Sequence, residues 1–391
     1  MYKKILVILL AAIITLSGCK SKTKEKLDYN RELMPGENAL VKITDPAMIP
    51  DFTKAAQNLY DLEEAIDNSL NYMAKPSSLN FFPINGISHS KVVDSLNAFR
   101  ELINSGLSPY DLNNQIRERF DVYMSVGCDF EGTVLFTGYY TPIFNGSMTQ
   151  SERFNYPLYA MPDGLVKNEL GETMGIQDST GNLFPCPPRG QVEQSGLVDG
   201  KELIWLEDPF EVYIAHVQGS AKIRLENGSL VTVGYAANSG HEYKTITKQL
   251  SDNAGIPLEK MSLSAMIDYF SRNKHQVANY VNSNPRFVFF RIAEGNPTGS
   301  INEPVIRMRT IATDKSIFPR AALTFIDTAL PRKVGSDVII HPYQGFFLDQ
   351  DTGGAIRAPG RCDIYMGQGD DAGLVAGKTY EEGKLYYLIL K

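Results

Sequence analysis

From about residue 130 onward, the chain reads as a series of short β-strands separated by turns. The apolar runs are rich in β-branched and aromatic residues, and glycine and proline interrupt them often. Apart from a helical interlude near residues 262–281, the runs lack the βαβ rhythm of a doubly wound parallel sheet. The pattern therefore predicts a mainly β protein built on a barrel. The predicted strands cover residues 133–142, 221–235 (a hairpin turning at Asn227-Gly228), 286–291, 305–311, 322–326 and 385–390.

The segment before these strands is predicted to be helical. Apolar residues recur every three or four positions from Phe52 to Met73, with Asp51 as a possible N-cap, which predicts one amphipathic helix of about six turns. A second helix is expected over residues 90–104. A third should begin after Ser108, because a serine N-cap followed by proline is typical of a helix start.

The amino terminus has the features of an export signal. Lys3 and Lys4 precede an apolar run that ends at Leu16 and is too short to span a bilayer, so residues 1–18 are predicted to be a signal peptide. The ending Leu-Ser-Gly-Cys resembles a bacterial lipoprotein cleavage box, which makes Cys19 the expected lipidation site. An ordinary signal peptide with a chance cysteine is the alternative. Residues 19–45 are predicted to form a tether.

Charge and cysteine content narrow the function classes. The formal charge of -7 and the lack of a basic run argue against nucleic-acid binding. The widely spaced Cys128, Cys186 and Cys362 do not form a disulfide framework, although one pair plus a free thiol is possible. The histidines show no metal-ligand spacing, so no metal or other cofactor is expected.

The carboxylates near the carboxyl terminus suggest two kinds of chemistry. Asp351-Thr-Gly resembles one half of an aspartic protease site, but that site needs two copies, and Asp178-Ser-Thr-Gly is only an imperfect second copy. A sugar-cleaving groove fits better, because residues 136–142 and 216–220 supply aromatic and amide side chains. Asp351 and Asp363 are candidates for the acid and the nucleophile or base of a glycoside hydrolase.

Several longer motifs occur together and resemble one known family. The chain carries, in this order, FTGYYTP (136–142), WLEDPFEVYIAHVQGSAKIRLENG (205–228), VGYAANSGHEY (233–243), NPRFVFF (284–290), GNPTGS (295–300), RTIATDKSIFP (309–319) and QDTGGAIRAPGRCDIYMGQG (350–369). These motifs resemble the membrane-bound lytic murein transglycosylase A family. The closing module also resembles a domain named for three aspartates, here Asp314, Asp351 and Asp363.

The resemblance implies a double-psi β-barrel assembled from both ends of the chain, with a second β domain inserted between them. Residues 46–142 would form the helical region and first part of the barrel, 143–284 the insert, and 285–391 the rest of the barrel. The glycan would lie in the groove between the domains. The implied protein is a monomer in the cell envelope, anchored by lipid to the outer membrane and facing the periplasm.

The implied enzyme is a lytic exotransglycosylase that cleaves peptidoglycan between N-acetylmuramic acid and N-acetylglucosamine and leaves 1,6-anhydromuramoyl ends. One acid–base residue is then sufficient, because the substrate's own hydroxyl is the nucleophile. By motif that residue is Asp363, and Asp351 is the other predicted residue of the catalytic site, expected to supply a charge or a hydrogen bond or to orient Asp363 or the substrate. The expected glycan-binding residues are Thr137, Tyr139, Tyr140, Gln218, Ser220 and Tyr235. Two alternatives to the transglycosylase stay open: a hydrolase that uses both aspartates, and a non-catalytic glycan-binding envelope protein.

Overall fold

The computed structural model of the chain describes residues 27–257, 261–335 and 337–391. Its β-strands are β1 Leu40–Lys42, β2 Phe120–Ser125, β3 Val134–Thr141, β4 Ile143–Ser147, β5 Tyr156–Tyr159, β6 Leu165–Lys167, β7 Thr173–Gln177, β8 Leu183–Phe184, β9 Glu202–Leu206, β10 Ser220–Leu225, β11 Leu230–Asn238, β12 Val288–Ala293, β13 Thr310–Ala312, β14 Leu323–Val334, β15 Asp337–Asp351, β16 Arg361–Gln368 and β17 Tyr380–Leu390. Its helices are α1 Leu62–Met73, α2 His89–Ile103, α3 Pro109–Arg119, α4 Arg189–Val192, α5 Pro209–Gln218, α6 Thr247–Ala254, α7 Leu263–Arg272, α8 Val277–Val281 and α9 Gly369–Ala376.

The largest sheet closes into a barrel. Its strand order is β1-β2-β17-β14-β15-β13-β16-β3, and an additional pairing of β17 with β3 closes the six strands from β17 to β3. β3 comes from the early part of the chain and the other five come from its end, so both ends build the barrel. Closure leaves these six strands without a free edge. The predicted architecture, a double-psi β-barrel with a second β domain inserted, is confirmed.

The inserted domain contains a six-stranded sheet in the order β12-β11-β10-β4-β9-β5 and a small sheet of β6, β7 and β8. β12 pairs with β11, and its inward residues Val288 and Phe290 join the core of the insert. The predicted boundary at residue 284 is therefore wrong, because the insert continues through Ala293. The hairpin predicted over residues 221–235 is confirmed as β10 and β11.

The amino-terminal helices pack on the barrel and share its hydrophobic core. The second and third helices are confirmed, with Ser88 and Ser108 as N-caps that accept hydrogen bonds from backbone N–H groups. The predicted six-turn helix is wrong, because only Leu62–Met73 is α-helical, Ala55–Gln57 forms a short 3-10 helix, and Asp61 between them has a left-handed backbone (φ 59°). Phe52 instead packs edge-on against Phe325 of the barrel, with 4.8 Å between the ring centroids.

The segment predicted to be a tether is ordered where the structure describes it. β1 pairs with β2, Ala39 and Leu40 are buried, and Tyr29 donates a hydrogen bond from its hydroxyl to Glu382 (2.7 Å). Residues 27–45 are therefore part of the folded body rather than of a tether. The predicted signal peptide and Cys19 lie outside the described residues.

Two further expectations are corrected by the structure. Of the strand predicted over residues 305–311, only the last two residues form a strand, because β13 comprises Thr310–Ala312. Arg309 is buried in the turn before β13, where its guanidinium donates hydrogen bonds to the backbone oxygens of Asn58 and Phe346. Cys128, Cys186 and Cys362 are buried free thiols, so none of them forms a pair. Across the ranges that the structure covers, no helix is both long and apolar enough to cross a membrane.

Candidate active site

A deep cleft separates the barrel from the inserted domain. Its volume is about 1680 Å³, and side chains of both domains line it. Pockets for small ligands usually have volumes of about 300–1,000 Å³. The size of this cleft therefore suits an extended ligand such as a polymer segment.

Strand register places two carboxylates on the barrel wall of the cleft. Ala312 of β13 pairs with Asp351 of β15 on one side and with Asp363 of β16 on the other. Residues that pair across strands point to the same face of a sheet. The two backbone positions are two strand spacings apart, roughly 10 Å. Both side chains line the cleft.

Asp363 has one oxygen available to a ligand. Thr137, its partner on β3, donates a hydrogen bond from its hydroxyl to Oδ1, and no described residue bonds Oδ2. Burial raises the pKa of Asp363, while the Thr137 hydrogen bond and the charge of Arg361 oppose the rise. Burial, rather than a neighbouring carboxylate, therefore favours the protonated form that a general acid needs.

Asp351 has no free oxygen. Oδ2 accepts a hydrogen bond from the hydroxyl of Tyr139 (2.8 Å), and Oδ1 accepts from the backbone N–H groups of Ser300 (2.9 Å) and Thr352 (2.8 Å). Burial raises the pKa of Asp351, and these three hydrogen bonds together with the charge of Lys315 oppose the rise. The surroundings of Asp351 suit a fixed carboxylate that holds its neighbours in place.

Asp314, the third aspartate of the motif set, does not line the cleft. Its Oδ1 accepts from Ser316, and its Oδ2 accepts from the backbone N–H of Ala358 (3.0 Å). Asp314 therefore ties the loop that follows Asp351 to the segment after β13. Its position indicates a structural role.

Five of the six predicted glycan-binding residues line the cleft: Thr137, Tyr139, Gln218, Ser220 and Tyr235. The prediction for Tyr140 is wrong. Its side chain is only 6% exposed and belongs to the barrel core, because neighbouring residues of a strand point to opposite faces. Its backbone N–H does reach the cleft wall, where it donates to Oε1 of Gln218 (3.1 Å).

Gln218 occupies the last position of α5 rather than a strand bend. Gly219 ends the helix with a left-handed backbone (φ 78°), which glycine adopts without strain, and Ser220 then begins β10. The hydrogen bond from Tyr140 therefore links the end of an inserted-domain helix to a barrel strand. Gln218 is fixed at the junction of the two walls.

The basic side chains in the cleft were not predicted from the sequence. Eight basic and three acidic residues (Glu172, Asp351 and Asp363) line the cleft. Basic side chains are therefore in excess there, although the whole chain has a formal charge of -7. These basic residues come from segments far apart in the chain, so no basic run revealed them. The eight basic residues are Lys167, Arg189, Arg286, Arg291, Lys315, Arg320, Arg357 and Arg361.

Family models match both parts of the cleft. The model described as the MltA specific insert domain matches residues 135–291, and the one described as the 3D domain matches residues 309–389. The first range covers β3 and the inserted domain, and the second covers β13 to β17 with both cleft aspartates.

Curated relatives and solved structures agree with these matches. The membrane-bound lytic murein transglycosylase A of Vibrio cholerae is 31% identical over 270 residues, which is 68% of each chain. The Escherichia coli protein of the same name is 29% identical over 300 residues, or 75% of this chain and 74% of the relative. A membrane-bound lytic murein transglycosylase from Agrobacterium tumefaciens superposes with a TM-score of 0.73 at 23% identity, covering 90% of this chain and 98% of its own. Escherichia coli MltA with bound chitohexaose gives a TM-score of 0.67 at 24% identity, covering 95% and 99%. At these identities the superpositions show the shared fold.

Proposed function

The chain belongs to the membrane-bound lytic murein transglycosylase A family, and we propose that Asp363 is the single acid–base residue with which it cleaves peptidoglycan. The protein is a lytic transglycosylase. Its reaction breaks the β-1,4 bond between N-acetylmuramic acid and N-acetylglucosamine and leaves a 1,6-anhydromuramoyl end. No water is consumed, because a hydroxyl of the substrate replaces it.

The proton balance requires only one carboxyl group. Protonated Asp363 gives its proton to the glycosidic oxygen as the bond from that oxygen to the muramoyl C1 breaks, and N-acetylglucosamine leaves as an alcohol. The Asp363 carboxylate then takes the proton of the muramoyl C6 hydroxyl while that oxygen bonds C1. Asp363 ends protonated, ready for the next cycle.

The observation that carries this proposal is the contrast between the two cleft aspartates. Asp363 has a free oxygen in the cleft and a pKa raised by burial. Both oxygens of Asp351 already accept hydrogen bonds, three in all, which hold the carboxylate in place and leave it less available than Asp363 to a glycosidic oxygen. A hydrolase with two working carboxylates needs a second free group, and Asp351 does not offer one.

Asp351 is proposed to act through its charge and through the groups that it holds. Its bond to Tyr139 fixes that phenol beside Tyr365, with 5.2 Å between the ring centroids. A carboxylate near the reacting sugar also favours the positive charge that develops at C1 during cleavage. In this scheme Thr137 orients Asp363 and keeps its Oδ2 directed to the substrate.

The glycan strand is proposed to lie along the cleft between the two walls. A solved structure of the Escherichia coli relative contains bound chitohexaose. In this chain Tyr139 on the barrel and Gln218, Ser220 and Tyr235 on the insert line the cleft. They offer hydroxyl, amide and aromatic surfaces, which suit sugar rings and their polar substituents.

Analysis of the cleavage products tests the reaction. Purified peptidoglycan is digested with the enzyme, and the new glycan ends are identified by mass spectrometry. Anhydromuramoyl ends are expected. Reducing ends would indicate a hydrolase, and binding without cleavage would indicate a glycan-binding protein.

We also propose that Cys19 carries a lipid that anchors the enzyme to the outer membrane, facing the periplasm. The support is the cleavage-box pattern before Cys19 and the membrane-bound names of the relatives. Metabolic labelling with a fatty acid tests it, since a Cys19→Ala variant should take up no label. The enzyme is proposed to act as a monomer, because one chain supplies both cleft walls; light scattering on the processed protein checks its mass.

A further inference from the structure

The cleft contains more positive charge than its own carboxylates neutralise. Two of its eight basic side chains form ion pairs, Lys315 with Asp349 and Arg357 with Asp314. Among the described residues the other six have no carboxylate within 4.0 Å, the limit for a salt bridge. Gathering unpaired cations in a partly desolvated cleft costs free energy unless a ligand supplies the negative charge.

Arg286 faces the barrel from the inserted domain. It precedes β12 and donates from Nη1 to the backbone oxygen of His241 (3.2 Å). A Cβ atom built on Gly354 of the barrel would lie 3.2 Å from Nε of Arg286, so glycine leaves space for the guanidinium at this point. Burial lowers the pKa of Arg286, and the like charge of Arg357 lowers it further. Arg286 is thus a half-buried cation that lines the cleft.

Arg361 lines the cleft from the barrel wall. It lies two residues before Asp363 on β16 and therefore points to the same face. Its guanidinium bonds only neutral groups, Asn30 Oδ1 (3.3 Å) and Thr137 Oγ1 (3.5 Å), and its buried Nε has no partner among the described residues.

Tyr243 lines the cleft together with Arg286. Its Cβ lies beside Arg286 at the Gly354 contact (3.4 Å from the same built Cβ atom). Burial raises the pKa of Tyr243, and hydrogen bonding with Tyr213 and Thr245 and the charges of Arg189 and Arg361 oppose that rise. Arg286 and Arg361 therefore line the same cleft from its two walls, and Arg361 lies two residues from the proposed acid.

A cation at Arg361 is unfavourable for an acid–base residue that must start protonated. Its charge stabilises the ionised form of Asp363. The arrangement becomes favourable when an anion of the substrate binds Arg361 and offsets that charge. The unpaired Nε gives such an anion a hydrogen-bond donor as well.

We propose that Arg286 and Arg361 form a subsite for a carboxylate that the muramoyl residues of the glycan carry. The inference rests on the proposed function and specifies part of its substrate. Each muramoyl residue bears a lactyl group, whose carboxylate is free in peptide-free strands. In peptide-bearing strands the lactyl group is an amide, and the stem peptide carries carboxylates instead. Both sources offer the same chemistry to the two guanidinium groups.

Matched acid and ester ligands test the subsite. Binding of labelled glycan strands to an inactive Asp363→Asn protein is measured by fluorescence anisotropy, with each strand compared to its methyl ester. We expect a preference of about tenfold for the acid form, which corresponds to ~1.4 kcal/mol. A preference confined to peptide-free strands identifies the lactyl carboxylate, and one confined to peptide-bearing strands identifies the stem peptide. Equal affinity for acid and ester in both pairs overturns the subsite.

Variants locate the subsite. Arg286→Gln and Arg361→Gln, made in the same background, should each reduce the acid-to-ester preference toward one, and Arg286→Lys should retain part of it. Arg332→Gln is the matched control, because Arg332 is an exposed arginine of β14 outside the cleft and its loss should leave the preference unchanged. Thermal melting checks that each variant is folded. If Arg286→Gln, folded, keeps the full preference, the assignment is wrong.

Failure of the subsite and failure of the proposed function give different results. If the wild-type enzyme releases anhydromuramoyl ends from acid and ester strands with equal kcat/KM, the function stands and the subsite is refuted. If no strand yields such ends, the proposed function is refuted whatever the binding ratios are.

Discussion

The two walls of the cleft differ in how they hold their side chains. On the barrel wall, Asp351 and Asp363 lie on strands of a closed sheet, each in register with Ala312 between them. On the inserted-domain wall, Gln218 is the last residue of a helix, and Arg286 precedes a strand. Rigid strands suit groups that must meet a reacting bond within a fraction of an ångström, whereas helix ends and loops can adapt to a long ligand. The comparison predicts that the barrel wall supplies the chemistry and part of the binding surface, and that the inserted-domain wall supplies binding alone.

The strongest test of this division is Asp363→Asn. The change removes the transferable proton and keeps the shape of the side chain. Cleavage should fall by at least the factor of about 10²–10⁴ that general acid–base catalysis contributes, while glycan binding and thermal stability persist. Product release and binding are measured on the same preparation. Substantial remaining turnover would remove Asp363 from the chemistry and the barrel wall from its assigned role.

Asp351→Asn should have a smaller effect on the same wall. An amide keeps the volume of Asp351 but loses the charge that accepts from Tyr139 and two backbone N–H groups. Hydrogen bonds to charged groups contribute about 1.5–3 kcal/mol, so a loss of roughly 10- to 150-fold in kcat/KM is expected. A loss equal to that of Asp363→Asn would make Asp351 a second catalytic carboxylate and revive the hydrolase hypothesis.

The pH profile sharpens the assignment of the barrel wall. Asp363 must be protonated to begin the reaction, so activity should fall as the pH rises through its pKa, which burial has raised. The Thr137 hydrogen bond favours the ionised form, and Thr137→Val removes it. The pKa should then rise further and move the alkaline decline of kcat/KM to higher pH. Thr137→Ser keeps the hydroxyl and should keep the wild-type profile; a shift to lower pH in Thr137→Val contradicts the assignment.

Gln218→Ala tests the inserted-domain wall. Its Oε1 accepts from the backbone N–H of Tyr140, and without it that buried donor loses its partner. The expected cost is about 1–3 kcal/mol, seen mainly as a higher KM because the side chain positions glycan and takes no part in proton transfer. Gln191→Ala, an exposed glutamine outside the cleft, is the control. A fall in kcat alone, with KM unchanged, would contradict the division between the walls.

The smallest effect is expected where the two walls touch. Gly354→Ala places a methyl group 3.2 Å from Nε of Arg286, a distance at which the flexible guanidinium has to move by a few tenths of an ångström. Glycan affinity should weaken by about 1 kcal/mol or less, with kcat retained. Isothermal titration of the Asp363→Asn, Gly354→Ala double variant measures it. Tighter binding would show that Arg286 does not need this space.

Local features of the sequence predicted the secondary structure where short-range interactions decide it. Ser88 and Ser108 begin helices because their hydroxyls accept from N–H groups three residues ahead. The apolar spacing from Phe52 to Met73 predicted too long a helix, because Phe52 finds its partner in Phe325 of the barrel. Tyr140 was assigned to the glycan because motif similarity does not say which face of β3 a residue occupies.

By itself, the sequence determined the class of the fold, the order of its motifs and the identity of the two candidate aspartates. Strand propensity, turn residues and the residues of a motif are properties of short segments, so they can be recognised without the tertiary structure. Only the tertiary structure decided which aspartate keeps a free oxygen and where the cations gather. Asp363 receives its hydrogen bond from Thr137, 226 residues earlier, and Arg286 meets Gly354 across two domains. Hydrogen bonds and Coulomb interactions act over a few ångströms, so such groups influence each other only after the barrel has closed and brought distant segments together.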